Sequence, residues 1–361
     1  MNKFTNTKIE FHILQSFPVS CLNRDDVGAP KSAFIGGVER ARVSSQCWKR
    51  AVRMELQNQG IKIAERTRLV VKKIAEQCIK LGASPEEAEK CGNDIAAMLT
   101  KTVKDGQSDT LFFISNAEAE AIAMACKTSA AADDLLQTGT FSAMPEKELK
   151  KLLKGSVISA VDGLDIALFG RMVAQAPDLN VEAAASFAHA VSTHKVVSEV
   201  DFFTAVDDMK KGDDDAGAAH MGSLEFNSAT YYRYVSLDLG QLADNLHSED
   251  LDIAVDAFVK ALFIANPSAR QTTMAAVCPW NYAIVTLRKG QGLQLPFNTP
   301  VRPVAGEDMV SASIGALQTR FADVKRMYGS LFGCCAEFEI GTESGDIDTL
   351  LAGLKEKVNA L

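Results

Sequence analysis

The chain has 361 residues, of which 47% are hydrophobic and 23% are charged, the proportions of an ordinary globular protein. No apolar run approaches the roughly 20 residues that a membrane-spanning helix needs, and no apolar signal-peptide core precedes the first strand-like segment, so we expect a cytoplasmic protein. The net charge of −8 argues by itself against a nucleic-acid partner.

The first part of the chain predicts a strand followed by a helix. Residues 8–14 alternate apolar and polar side chains, which is typical of a half-buried strand. After a loop of turn-forming residues, Ser44 or Ser45 is placed to cap a helix that runs to about Gln59. Gly60 is the stop signal of this helix.

The middle of the chain predicts a helical insertion between core strands. Residues 61–155 contain repeated helix starts, in which a capping residue or a proline precedes acidic residues. The apolar segment 164–169 is interpreted as a strand, 181–194 as a helix, and the alternating segment 231–239 as a strand. Between the last two, the charged tract 207–215 is predicted to be a mobile tip.

The last third predicts a helix from Ser248 to about Ala265, a strand over 282–287, and then a helix, a strand and a final helix in the tail. Without the inserts, the core order is β-α-β-β-α-β, which is the order of the ferredoxin-like fold and places the chain in the α+β class. RNA-recognition modules share that fold. A generic α+β domain with unrelated insertions is the alternative, because a fold alone does not give a function.

Basic residues are concentrated in one segment. Residues 31–53 hold six Lys or Arg and one acid, a charge of +5, so the rest of the chain carries −13. At about 100° per residue, Gln46, Lys49, Arg50 and Arg53 share one face of the predicted helix. A solvated face is the commoner use of such residues, but a basic patch beside a helix N-terminus also suits phosphates. Two cations just upstream belong to this patch: Arg40 and Arg42.

Motifs of catalysis and of metal binding are missing from the sequence. It has no Walker A loop, dinucleotide-binding glycine motif, HExxH motif, nucleophile elbow or CxxC pair. His189 and His194 are five residues apart and are interpreted as ordinary histidines rather than as ligands. Asp25 and Asp26 lie beside the basic patch and have the chemistry to hold a divalent metal for RNA cleavage, although such residues more often form turns. We predict no metal and no cofactor.

Several motifs resemble one family. The segments SCLNRDD at 20–26, GG at 36–37 and RVSSQCWKR at 42–50 closely resemble the CasC family, the hexameric backbone subunit of the type I-E CRISPR Cascade complex. The match continues in four further segments: DIALFGRM at 165–172, AHAVSTH at 188–194, FTAVDD at 203–208 and YRY at 232–234. The motifs are specific in combination, and the resemblance weakens beyond Leu239.

The resemblance implies a hand-shaped protein. Its ferredoxin-like (RRM-like) palm is built from 1–58, 161–195 and 230–361, the last including C-terminal elements. The fingers are the helical insertion 59–160, and the thumb is the insertion 196–229. Copies are expected to assemble head to tail along CRISPR RNA, with the target DNA strand and the CasA, CasB, CasD and CasE subunits as further partners.

The resemblance also implies functional residues. Guide-RNA contacts are expected at Arg24, Lys31, Ser44, Gln46, Lys49, Arg50, Arg53 and Met172. Two thumb residues are expected to wedge against bases: Phe203 and Met221. The family's lysines that face target DNA have only rough counterparts by location: Arg288, Lys289 and Arg302. After the two glycines this chain carries Val38 and Glu39, where family members often have a denser basic cluster.

Three functions compete at this point. The leading hypothesis is a non-enzymatic scaffold that holds the guide backbone and leaves the reading of sequence to base pairing. The second is a metal-dependent ribonuclease that uses Asp25 and Asp26, as related backbone subunits of type III complexes cut RNA with an aspartate in a comparable loop. The third is a stand-alone RNA-binding protein, which would not bring down partner subunits.

Overall fold

The structure is a computed structural model that describes residues 2–127, 140–154, 158–173, 175–205, 220–246, 250–341 and 345–361. Its strands are β1 (Thr7–Ser20), β2 (Ser32–Ile35), β3 (Val38–Val43), β4 (Glu65–Thr67), β5 (Val103–Lys104), β6 (Gln107–Ser108), β7 (Phe112–Ile114), β8 (Ala185–Phe187), β9 (Ala190–Ser192), β10 (Glu199–Ala205), β11 (His220–Asp238), β12 (Tyr282–Lys289) and β13 (Cys334–Ile340).

The helices are α1 (Ser45–Asn58), α2 (Val70–Lys80), α3 (Pro85–Leu99), α4 (Asn116–Cys126), α5 (Glu146–Lys154), α6 (Leu164–Phe169), α7 (Leu239–Asn245), α8 (Leu251–Ile264), α9 (Gln271–Met274), α10 (Met309–Tyr328) and α11 (Ile347–Asn359). Helix and antiparallel sheet are mixed along the chain, so the expected α+β class is confirmed. Within the described ranges, no helix is both long and apolar enough to cross a membrane.

One large antiparallel sheet organises the fold. Its order is β13-β12-β1-β11-β9-β3-β2, and β8 and β10 also pair with β11. The long central pair aligns Phe11 with Val235 and Ile13 with Arg233. The predicted strands at 8–14, 231–239 and 282–287 are all present. Tertiary pairing extends the first at both ends, the second toward its N-terminus and the third toward its C-terminus.

Both faces of this sheet are covered. Because successive strand residues point to opposite faces, Phe11 and Ile13 pack on one side with Phe258 of α8, while Leu14 packs on the other with Phe321 of α10. The rings of Phe11 and Phe258 meet edge to face, with centroids 6.3 Å apart. Because both faces are covered, the polar residues that alternate with the apolar ones on β1, such as Glu10 and His12, are buried as well.

A second core lies in the insertion. Helices α2 to α5 and strand β7 bury a separate apolar cluster that extends from Val70 to Leu179. Two of its helices begin where the sequence predicts, α3 at Pro85 after its cap Ser84 and α5 at Glu146 after Pro145. Ser84 forms a capping box with Glu87, and Ser115, which was not predicted as a cap, forms one with Glu118 at the start of α4. Residues 128–139 and 155–157 of the predicted helical insertion lie outside the described residues.

Two sequence predictions of secondary structure are wrong. Residues 164–169 form helix α6, not a strand, and lie between Gly163 (φ 79°) and Gly170 (φ 78°). A short run that is buried all round has the same composition as a helix or a strand, so its pattern does not separate the two. Residues 181–194 hold β8 and β9 rather than a helix, because pairing with β11 overrides the helix preference of alanine.

Candidate nucleic-acid interface

Helix α1 begins where the sequence predicts, and its start is tied to the preceding loop. Ser44 is the N-cap, and its Oγ accepts a hydrogen bond from Cys47 N at 3.3 Å. The backbone N–H of Ser44 donates to Asn23 Oδ1 at 2.9 Å. Ser44 is buried, so its hydroxyl serves mainly to hold the helix start against the loop that carries Arg24.

The two faces of α1 differ as predicted. Trp48, Val52 and Leu56 are buried against the sheet, whereas Gln46 and Arg50 are exposed. We call Arg24, Lys31, Gln46, Lys49 and Arg50 the α1 surface.

Lys49 is half-buried in this surface, and its ammonium lies 5.8 Å from the centroid of the Phe187 ring. Desolvation lowers the pKa of Lys49 below its ordinary value. A phosphate placed there favours the charged form, because it supplies the missing counter-ion.

Arg53 lies on the same helix in a different environment. Its Nε donates to Asp165 Oδ2 at 2.6 Å, and Nη2 donates to the carbonyl of Ala64. Only 22% of the Arg53 side chain is exposed, and Asp165 is fully buried. Burial raises the pKa of Asp165, although the hydrogen bond from Ala64 N, at 2.9 Å, and the one from Arg53 oppose that rise. The charge of Arg53 is therefore already paired within the protein and joins α1 to α6.

A second group of polar side chains lies beside the α1 surface. Arg42 Nη1 is 3.0 Å from His189 Nδ1. Desolvation, and then the charges of Arg42 and Lys31, lower the pKa of His189, so its ring stays neutral to lower pH than a free histidine. The sequence gives no sign of this contact, because His189 and Arg42 are far apart along the chain.

The expected contribution of Arg40 to the basic patch is wrong. The structure buries Arg40 completely, with Nε donating to Ser192 O at 2.7 Å and Nη1 donating to Phe297 O at 3.2 Å. Alternation along β3 sends Arg40 inward and leaves Arg42 on the opposite face. Arg288, a rough candidate for target DNA, is likewise buried, where it pairs with Glu10.

A cleft of about 1070 Å³ opens beside α1. The loop 22–28 and helix α1 line one part of it, and residues 265–270 line the rest. Three arginines meet there: Arg24, Arg50 and Arg270. None of the three forms an ion pair within the described ranges, so their charges are available to an anion.

Arg270 is a residue that sequence reasoning missed. It adopts a left-handed backbone conformation with φ 56°, which is uncommon for a residue other than glycine. Such strained positions concentrate at functional sites. Neither a motif nor a periodic pattern marks residue 270 in the sequence, because only the folding of the loop after α8 brings it to the cleft.

The aspartates of the competing ribonuclease hypothesis line the same cleft. Asp25 Oδ1 accepts hydrogen bonds from Val27 N at 3.0 Å and Ala29 N at 2.9 Å, so it forms a turn. Across the described part of the chain, no three His, Cys, Asp or Glu side chains are grouped to hold a metal ion. This geometry does not favour the ribonuclease hypothesis.

Met172 stands out on the surface beside the second core, which contains its neighbour Val173. Its side chain is 81% exposed, although its neighbours Arg171 and Val173 are buried. A hollow of about 370 Å³ lies beside it, lined by residues 169–172 and 180–183. Single exposed apolar side chains are common on protein surfaces, so what the exposure establishes is that Met172 is accessible to a ligand.

The expected base-wedging residues lie on a two-stranded ribbon, residues 199–205 of β10 paired with 220–226 of β11. Phe203 is opposite Gly222, and Met221 is opposite Thr204. Because opposite residues share a face and successive residues alternate, Phe203 and Met221 lie on opposite faces of the ribbon. Phe202, which was not predicted, shares the face of Met221 and is equally exposed, at 63%. The predicted tip at 207–215 lies outside the described residues.

Helix α5 carries a further basic surface that the sequence did not single out. Four lysines line an open hollow with Asp178: Lys147, Lys150, Lys151 and Lys154. Lys150 pairs with Glu146 at 2.6 Å, and Lys154 lies 3.8 Å from Asp178. These exposed pairs are weak, so the lysines are able to exchange them for phosphates.

Comparisons with known proteins agree on one family. A model of the family described as CT1975-like protein matches residues 9–357. A solved structure described as "CRISPR RNA-guided surveillance complex, pre-nicking" shares 27% identity, covers 97% of this chain and 99% of its own, and has a TM-score of 0.76. Another, described as "CRISPR RNA-guided surveillance complex", has 22% identity, the same coverage and a TM-score of 0.67, and supports the fold. A search of curated proteins finds no significant match. The chain therefore belongs to the CT1975-like family, and its resemblance to the Cascade backbone subunits of the CasC family is confirmed.

Proposed function

We propose that this protein is a CRISPR RNA-binding backbone subunit of a type I-E Cascade surveillance complex. The observation that carries the proposal is the α1 surface: exposed and half-buried cations that form no ion pair among the described residues, in a chain of which 97% matches a chain of a surveillance complex. The protein holds the guide through its phosphates, and base pairing with target DNA supplies the sequence specificity.

The sheet order supports a ferredoxin-like palm. Strands β12, β1, β11 and the β8–β9 pair lie side by side and antiparallel, with α1 and α8 as the crossover helices packed on one face. This is the arrangement of a β-α-β-β-α-β unit whose second strand is broken in two. The fingers are the unit around the second core, and the thumb is the ribbon with its tip.

Guide phosphates are held by the cleft and the α1 surface. Arg24, Arg50 and Arg270 converge on the cleft, with Lys31 and Lys49 beside it. Guanidinium groups bind phosphate oxygens in pairs, which positions the strand as well as attracting it. Gln46 adds an uncharged donor, Ser44 acts through the helix start, and Arg53 contributes chiefly by keeping α1 in place.

The ribbon breaks the guide stack at intervals. Since Phe203 and Met221 lie on opposite faces, the ribbon acts as a wedge with two sides, and each side packs against a different base. Phe202 adds a second apolar side chain to the face of the ribbon that carries Met221. Unstacking costs a few kcal/mol per step, which apolar contacts partly offset. A strand bound to protein is thereby kept from winding fully around the target.

The same ribbon reaches the next copy. A chain that coats an extended RNA needs head-to-tail contacts, which propagate along the strand instead of closing into a dimer. The lysines of α5 offer a second phosphate-binding surface, which we assign to the target DNA strand. The subunit works with the CasA, CasB, CasD and CasE subunits and is a scaffold rather than an enzyme.

Reconstitution tests this function. The chain is produced together with a CRISPR transcript and the other Cascade subunits, and the assemblies are examined by native mass spectrometry. We expect particles that contain several copies of the chain on one RNA. Replacing residues 203–222 by Asn-Gly, so that the paired residues Phe202 and Ser223 are rejoined by a tight turn, is expected to leave single RNA-bound copies.

The contrary result is equally clear. A chain that purifies as a monomer without RNA in the presence of all these components would contradict the proposed function. Full arrays formed by the shortened chain would contradict only the role of the ribbon. Mg²⁺-dependent cleavage of complementary RNA that is lost in Asp25→Ala would favour the ribonuclease alternative.

A further inference from the structure

The exposed side chain of Met172 is held by an unusually well-anchored turn. Arg171 and Val181 exchange two backbone hydrogen bonds of 2.9 Å each, and Val173 N donates to Asn180 Oδ1 at 2.6 Å. The turn therefore closes on both sides of Met172. Because the backbone at Met172 is already fixed, little further backbone freedom is lost when its side chain contacts a ligand, which favours binding.

A buried ion pair anchors this turn to the fingers. Arg171 Nη1 donates to Glu118 Oε1 at 2.7 Å and Oε2 at 2.9 Å, and both side chains are almost completely buried. The same nitrogen donates to Phe113 O at 3.1 Å, and Nε donates to Leu179 O at 3.4 Å. The guanidinium also lies over the Phe112 ring, 5.5 Å from its centroid. Arg171 is thus fixed by a carboxylate, two carbonyls and a ring.

The start of helix α4 fixes Glu118 in turn. Ser115 N donates to Glu118 Oε2 at 3.0 Å, and Glu118 N donates to Ser115 Oγ at 3.0 Å. Glu118 therefore has two roles. Its carboxylate accepts the hydrogen bond from Ser115 N that completes the capping box, and it also accepts hydrogen bonds from Arg171. A buried ion pair often adds little net stability. The many contacts that fix Glu118 and Arg171 are therefore better explained by a role in positioning the turn that carries Met172.

From this geometry we infer that Glu118 and Arg171 are positioning residues that set where Met172 meets the guide RNA. The inference rests on the proposed function and deepens it. Glu118, in the core of the fingers, and Arg171, beside the hollow, form one connected path to Met172. The pair fixes the place at which Met172 contacts a guide base, while the α1 surface holds the strand.

The test compares chemical reactivity of guide bases in assembled complexes. Met172→Ala removes the contact itself and defines the bases that depend on it. Glu118→Gln keeps the shape but removes the charge that orients Arg171. We expect Glu118→Gln to weaken the regular reactivity pattern at the same bases as Met172→Ala, with the amount of bound RNA unchanged, because the phosphate contacts remain.

A matched control separates position from stability. Glu10 and Arg288 form another buried ion pair, on β1 and β12 of the palm. Glu10→Gln should lower the melting temperature as Glu118→Gln does and leave the reactivity pattern intact. Should Glu118→Gln fail to fold, Arg171→Lys replaces it, since lysine keeps the charge but cannot reach Glu118 and the two carbonyls together.

The outcomes are distinguishable. A reactivity pattern that Met172→Ala alters and neither Glu118→Gln nor Arg171→Lys alters would overturn the positioning role and leave the proposed function standing. A pattern that Glu10→Gln alters equally would overturn it too, because the effect would then follow stability alone. If the wild-type protein binds no RNA, the proposed function is contradicted instead.

Discussion

The α1 surface and the ribbon present opposite chemistries to solvent. The α1 surface carries cations on a helix whose other face is packed in the core, whereas the ribbon exposes Phe202, Phe203 and Met221 on two strands with solvent on both sides. Cations on a rigid support suit phosphates, which look the same at every nucleotide. Apolar side chains on a thin support suit insertion between bases. The α1 surface is therefore suited to holding the RNA strand, and the ribbon to changing the stacking of its bases.

The largest expected effect comes from reversing charge on the α1 surface. Lys49→Glu combined with Arg50→Glu should abolish RNA-bound assembly at moderate salt. If each residue neutralises one phosphate, the slope of log affinity against log salt falls by about 0.7 for each phosphate that the variant no longer neutralises. Filter binding across a salt series measures this. Lys355→Glu with Lys357→Glu on α11 is the control, and equally weakened binding in both variants would contradict a localised site.

Variants of Arg53 test whether this residue contacts RNA or only pairs with Asp165. Arg53→Leu leaves Asp165 buried without its partner, so we expect a loss of about 3–5 kcal/mol in the free energy of unfolding. Arg53→Leu combined with Asp165→Leu removes both charges and should recover much of that loss. Denaturant unfolding measures stability, and RNA affinity is measured in parallel. If the double variant is stable yet binds RNA far more weakly than wild type, Arg53 contacts the guide directly.

The ribbon is tested one face at a time. Phe203→Ala and Met221→Ala should each leave RNA binding nearly intact, because the phosphate contacts remain. At each place where the ribbon interrupts the guide stack, the two substitutions should change the chemical reactivity of different bases, since the two side chains lie on opposite faces. Ile253→Ala, at an exposed apolar position on α8, is the control. Identical changes from Phe203→Ala and Met221→Ala would contradict a two-sided wedge.

The smallest expected effect on RNA binding is a pH dependence that arises from His189, beside the α1 surface. Desolvation, Arg42 and Lys31 lower the pKa of His189 below 6.5 in the free protein, and a nearby phosphate raises it again. RNA binding therefore takes up a proton, and affinity rises as pH falls through the range below 6.5. The same pH series with His189→Gln should be flat.

A further pH effect arises in the core of the large sheet and serves as a reference. Burial lowers the pKa of His12 to about 4, and its Nδ1 lies 2.9 Å from the hydroxyl of Tyr232. The unfolded chain takes up a proton near pH 6.5 while the folded protein does not, so stability is present above pH 6.5 and is lost as pH falls toward 4. The loss is roughly 3 kcal/mol. His12→Gln should remove it in thermal unfolding across that range.

Local patterns predicted the basic helix well. A capping serine, an apolar stripe and a glycine stop define α1 from Ser44 to Gly60, because each signal acts within a few residues. The same reasoning predicted the central strands and the starts of α3 and α5. It failed at 164–169 and 181–194, where burial on all sides or pairing with a distant strand outweighs local preference.

The amino-acid sequence was enough to establish the α+β class, the family resemblance and the helix that carries Lys49 and Arg50. Which cations are available to RNA depended on contacts between residues far apart in the chain. Arg53 is paired with Asp165, Arg40 is buried against Ser192, and Arg270 reaches the cleft from another loop. Helical and strand periodicities assign a side chain to a face, but the availability of its charge depends on which partner the folded chain brings within hydrogen-bonding distance.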